Sequence, residues 1–131
     1  VFIKGAIMSA SSAQTDIAVS FLQLCASGKV DEAYDGFVGP HFRHHNPYFG
    51  GDAASLKTGM RESALSHPDK IFEVQRTIED GDLVAVHSRL RLGANTMAVV
   101  HILRFEDGWI AELWDVGQAQ PEQMVNEHGM F

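Results

Sequence analysis

The sequence predicts an α+β domain in which three N-terminal helices back a strongly curved antiparallel sheet. Two observations carry that prediction. Apolar residues recur at helical spacing up to about Ser66, and from Ile71 the pattern changes to extended runs separated by short turn-forming loops. Strands joined by loops this short are antiparallel neighbours, and helices followed by such a meander lie on one face of its sheet.

The first helix is expected to start at Thr15 as N-cap, with Asp16 at its positive end and Gly28 as its stop. Ile17, Phe21, Leu22 and Cys25 then share one buried face. A second helix covers 30–37, with Val30, Ala33, Tyr34 and Phe37 inward, and Gly39-Pro40 ends it. His41 to His45 reads as a short extended segment closed by Asn46-Pro47 and Gly50-Gly51. Asp52 caps a third helix running to about Ser66, where His67-Pro68 stops it. Its apolar residues are few (Ala54, Leu56, Met60, Leu65), which suits a helix covering a sheet or a pocket. Strands are expected over 71–79, 83–92, 96–105 and 109–118, and 121–131 as a short helical or irregular closing segment. Residues 1–14 are read as a disordered N-terminal extension or as residues foreign to the natural chain, with Met8 a candidate start. A single domain is assigned to 15–131.

Composition bounds the function. A chain of 131 residues has the size of one domain, and its 45% hydrophobic and 21% charged residues match globular norms. No stretch reaches the roughly 20 apolar residues that a membrane helix needs. A net charge of −7 without a Lys/Arg cluster argues against nucleic acid, whose phosphates demand cationic contacts. The one cysteine, Cys25, cannot form an internal disulfide and lies on an apolar stripe, as a buried, inert thiol would. These features together point to a cytoplasmic protein.

The last hairpin carries the chemistry. Glu106-Asp107-Gly108 fits a three-residue loop with Gly in the left-handed position, which pairs Phe105 with Trp109. One face then carries Val99, His101, Leu103, Phe105, Trp109, Ala111, Leu113 and Asp115. His101 and Asp115 are its polar side chains and become diagonal neighbours, roughly 7–8 Å apart at Cβ. A two-residue loop would set them on opposite faces. An ionisable pair on an apolar concave face suits proton transfer. The competing reading ties Asp115 to the strand end and leaves His101 a satisfied core histidine.

Other side chains carry weaker signals. His41, His44 and His45 invite a metal reading, but His44 and His45 point to opposite faces of a strand, so no metal site is assigned. His45, beside Asn46-Pro47, is a candidate hydrogen bonder at a pocket mouth, or a surface turn residue. His87 is a candidate for lining the cavity, or an exposed histidine. Arg104 and Glu112 share the second hairpin face as a surface ion pair worth little. Tyr48, Phe49, Met60, Trp109 and Trp114 are candidates for shaping a cavity or an interface, or belong to the core. No activated Ser or Cys, phosphate loop or CxxC pair is present.

The run from Val100 to Gln118, with His101-Ile102-Leu103-Arg104-Phe105 and Glu112-Leu113-Trp114-Asp115, resembles the terminal hairpin of SnoaL-like proteins in the NTF2-like superfamily. Phe42-Arg43-His44-His45-Asn46-Pro47 resembles their first strand and its turn. Leu83-Val84-Ala85-Val86-His87-Ser88 resembles their third strand, and Asn126 to Phe131 their C-terminus. The resemblance implies a cone-shaped α+β barrel, usually dimeric, and includes polyketide cyclases that catalyse an aldol condensation without metal or organic cofactor. It places Asp115 at their acid/base carboxylate and His101 at the adjacent histidine. The chain departs from many relatives in having His101 where they have Asp, and Leu113 where they have His. The expected function is cofactor-independent proton transfer on a small hydrophobic carbonyl compound, of the cyclase or isomerase type. Asp115 and His101 would be catalytic, and His45, His87, Trp109, Leu113, Tyr48 and Met60 would contact substrate. A ligand-binding or dimerisation module without chemistry is the alternative, and hydrolysis of an epoxide by an activated water a third.

Overall fold

The computed structural model describes residues 12–131. The element order is α1 (Ala13–Ala26), α2 (Val30–Phe37), β1 (Val38–His44), α3 (Ala53–Ser66), β2 (Ile71–Asp80), β3 (Leu83–Leu92), β4 (Asn95–Glu106) and β5 (Trp109–Ala119). Helix α1 starts earlier than expected. Its N-cap is Ser12, whose hydroxyl accepts the Thr15 N–H at 3.2 Å. Thr15 is buried within the first turn, and its hydroxyl donates to the Glu79 carboxylate at 2.6 Å, fastening α1 to β2. Residues 12–14 therefore belong to the folded unit, while 1–11, including Met8, lie outside the described residues.

The other helix signals act as the sequence suggests. Gly28 (φ 89) adopts the left-handed conformation that ends α1. Asp52 caps α3 by accepting the Ser55 N–H at 3.0 Å. Only Leu56 and Gly59 of α3 are buried, as befits a helix laid over a cleft. Among the described residues no helix is long and apolar enough to cross a membrane.

The five strands run in the order β1-β5-β4-β3-β2. The meander β2 to β5 is antiparallel throughout, but β1 pairs with β5 in parallel, so the sheet is mixed rather than wholly antiparallel. No hairpin constrains β1, because α3 and the whole meander intervene before its partner. The ladder slips at Gln75 in β2 and at Ala111 in β5. Such bulges bend their strands and curve the sheet, which stays open with β1 and β2 at its edges. Phe21, Leu22, Val30 and Phe42 pack against Val84, Val86, Leu103, Ile110 and Leu113 to form the core on the inner face. Full burial of each such side chain contributes about 1.5–3 kcal/mol. Residues 120–131 form no helix, and Phe131 stacks on His87 with ring centroids 5.9 Å apart.

Candidate functional site

The β4–β5 turn is shorter than expected. Glu106 pairs with Trp109, and Asp107 (φ 52) and Gly108 (φ 83) form a two-residue turn with both backbones left-handed. That turn alone would send Leu113 and Asp115 to the outer face. The ladder corrects this at Ala111: Phe105 opposes Ile110, yet Arg104 opposes Glu112. The extra residue restores the inward direction of Leu113 and Asp115, and it brings His101 directly opposite Asp115 instead of diagonal to it. It also exchanges the roles of Ile110 and Trp109. Ile110 faces Phe105 in the core, while Trp109 is 43% exposed beside Gly39, Pro40 and His41.

His101 and Asp115 line a cleft of about 560 Å³ between the inner sheet face and α3. Asn46, Tyr48, Phe49, Met60, Leu90 and Val99 supply further walls. The cleft adjoins a smaller chamber of about 110 Å³, which shares Met60, Ser63, Leu90 and His101 with it. Close backbone packing helps to set this shape. A Cβ on Gly59 would stand within 2.4–2.9 Å of the Phe49 ring, so the glycine lets Phe49 lie flat on α3.

Asn46 is the residue that the sequence reading missed. Its Nδ2 donates to Asp115 Oδ2 at 2.9 Å, while its Oδ1 accepts the Tyr48 N–H at 3.0 Å. The second bond fixes which end of the amide faces the carboxylate. The Asn46 N–H in turn donates to His44 Nδ1 at 3.1 Å, and His44 Nε2 bonds the Gly50 carbonyl. Buried His44 thus anchors the turn that presents Asn46. The Asn-Pro pair after a histidine pair was the available signal, but it reads first as a turn.

Burial holds the His101 imidazole below its ordinary value, at about 4, against the opposing pull of Asp115. Near neutral pH the ring is therefore uncharged. Its Nδ1 is buried without a hydrogen-bond partner among the described residues, and the Phe72 ring meets the imidazole edge-on with centroids 6.0 Å apart.

Four other candidates lie away from the cleft. His45 alternates with inward-facing His44, so it emerges on the outer face, bonding Glu112 at 2.6 Å and stacking on Trp114 at 5.0 Å. His87 opposes Val100 on the same outer face, between Phe131 and the Arg76 guanidinium. Leu113 points inward but is sealed in the core, a layer away from the cleft. Trp109 borders the separate outer pocket. Tyr48 and Met60 do line the cleft.

Glu112 also differs from the expected surface ion pair. Its side chain is only 5% exposed and receives Arg43, Arg104 and His45 at 2.6–3.2 Å. These partners, Arg43 foremost, hold its carboxyl down at about 2.

The model of the SnoaL-like domain matches residues 18–113, which takes in most of α1, the other two helices and His101. The chain belongs to the SnoaL-like domain family. The family match ends two residues before Asp115. Solved structures agree on the fold of this SnoaL-like chain. A candidate polyketide cyclase from Acidithiobacillus ferrooxidans superposes with a TM-score of 0.71 at 21% identity, covering 84% of this chain and 91% of its own. A candidate ketosteroid isomerase from Kribbella flavida gives 0.69 at 21% identity, covering 88% and 86%. An NTF2-like protein of unknown function from Cytophaga hutchinsonii gives 0.66 at 15% identity, covering 85% and 95%. No protein of curated function matches the chain.

Proposed function

We propose that this SnoaL-like domain is a cofactor-independent acid/base catalyst for a small hydrophobic carbonyl compound, of the aldol-cyclase or isomerase type. The observation that supports it is the pairing of His101 with Asp115 on the wall of an apolar cleft, with Asn46 holding one carboxylate oxygen. Asp115 takes a proton from the carbon next to the carbonyl, which leaves an enolate. Uncharged His101 donates an N–H hydrogen bond to the oxygen on which charge develops. The enolate then either attacks a second carbonyl, forming a carbon–carbon bond as that carbonyl's π bond opens to an alkoxide that takes the proton from Asp115, or takes the proton back at another carbon. Tyr48 and Met60 shape the space for the substrate, and His45, His87, Trp109 and Leu113 take no part.

The test is exchange of α-protons of small aryl ketones in deuterated water, followed by NMR. Asp115→Asn is expected to slow the exchange catalysed by the protein by about 10²–10⁴-fold. An unchanged rate would sink the proposal. A binding module without chemistry is the second reading. It is favoured by Asn46, whose amide already holds one oxygen of that carboxylate. It predicts ligand binding without exchange, insensitive to Asp115→Asn.

We also propose that the partner is a second copy of the chain, seated on the outer sheet face. Ile78 and Val116 are 67% and 66% exposed there, beside Ala85, Val100 and Ile102.

A further inference from the structure

The small chamber beside the cleft holds a cation that the reaction above does not use. Lys70 lies between the end of α3 and the start of β2, and its side chain is partly buried in the chamber wall. Its ammonium donates to the Ser63 hydroxyl at 2.6 Å, and among the described residues it has no carboxylate partner. Leu22, Ala26, Met60, Phe72 and Leu90 make most of the remaining wall apolar, and His101 closes it on the cleft side. Burial accordingly holds the ammonium below its ordinary value. The neighbouring Cys25 thiol cannot compensate the charge, because its own burial pushes it up to about 12 and keeps it protonated.

A half-buried ammonium facing apolar walls lacks the counter-charge that would offset its lost hydration. Its single partner, Ser63, accepts from it, so the Ser63 O–H remains free to donate to a further acceptor. The chamber of about 110 Å³ compares with the ~30 Å³ share of one water in the liquid, which leaves room for a carboxylate and an attached carbon or two.

We infer that this chamber is a subsite for a carboxylate carried by the ligand, with Lys70 as its counter-ion and the Ser63 hydroxyl as a second donor. Taken with the acid/base reading, on which this part rests, the substrate class becomes a hydrophobic oxo acid. His101 borders both the chamber and the cleft, so an acid group at Lys70 leaves the ligand's carbonyl beside His101 and Asp115. Charge fixes the direction of binding, since Asp115 repels an acid group at the other end of the same space.

Calorimetric titration with naphthalene-2-carboxylate and with naphthalene-2-carboxamide tests the subsite. The two probes share a shape and differ in charge. The unaltered protein is expected to bind the carboxylate at least tenfold more tightly. Lys70→Met should weaken carboxylate binding tenfold or more and amide binding less than twofold, and Asp115→Asn should leave the preference in place. Equal binding of the two probes, binding of neither, or equal losses in Lys70→Met would each overturn the inference. The first comparison needs no variant, so it holds even if Lys70→Met fails to fold. A carboxylate preference that persists while Asp115→Asn leaves proton exchange unaltered would uphold the subsite and remove the acid/base reading. Lost exchange without any preference would do the reverse.

Discussion

His101 is a partly buried base that the native protein keeps unprotonated, and this ties its chemistry to stability. Its value in the fold, about 4, lies below the ordinary 6.5. As pH falls, the unfolded chain therefore takes up the proton first. The stability that His101 contributes is complete above about 6.5 and is lost as pH drops towards about 4. Urea unfolding at pH 7 and pH 5 should show a loss of up to about 2 kcal/mol in the unaltered protein, and a clearly smaller one in His101→Leu. Identical losses in both would place the acid sensitivity elsewhere. The sequence placed His101 and Asp115 on one face by way of a three-residue turn, whereas the molecule reaches the same face through a two-residue turn and the extra residue at Ala111. The sequence did not reveal Asn46, whose contact with Asp115 spans 69 residues and depends on how an edge strand docks. His45 misled for a related reason. A histidine next to a turn looks free to face the cleft, but buried His44 takes the inward position and sends its neighbour out.

At the scale of elements, Glu112 fastens strands. From β5 it receives Arg43 of β1, Arg104 of β4 and His45 of the turn after β1, which joins three neighbouring strands on the outer face. Its carboxyl is depressed from the ordinary 4.5 to about 2, so its contribution is complete above 4.5 and is lost as pH falls through about 2. Glu112→Gln should lower the melting temperature at pH 7 and flatten its decline between pH 4.5 and 2. Parallel melting curves for the two proteins across that range would rule out this role. Most elements could be read from the sequence because their ends carry local signals: Asp52 before α3, Gly28 after α1, and Gly81, Gly93 and Gly108 between strands. The slip at Ala111 could not. A bulge is decided by packing on both sides of a strand, and here the core selects Ile110 over Trp109. The Ser12 cap escaped notice because Thr15, three residues on, carries the same kind of hydroxyl.

For the whole molecule, the outer sheet face and the order of assembly have consequences that a single residue does not. If a second chain covers Ile78 and Val116, Val116→Glu places a charge in the contact and should convert a dimer to a monomer in light scattering. A monomer before the change would refute that partner. The fold class followed from the helix-then-meander order, whereas the parallel pairing of β1 did not, because no short loop dictates it. That pairing also sets a timetable. The hairpins of the meander close over a few residues each, but β1 must wait for β5, with His44 and Leu113 separated by most of the chain. The Asn46 turn rides on β1, so the carboxylate of Asp115 gains its orienting partner only at this last closure. In refolding from urea, recovery of sheet signal should precede recovery of ligand binding, and simultaneous recovery would contradict this order. A refolding chain would then hold a nearly complete sheet while still unable to engage a ligand, so competence arrives as the final event of its folding.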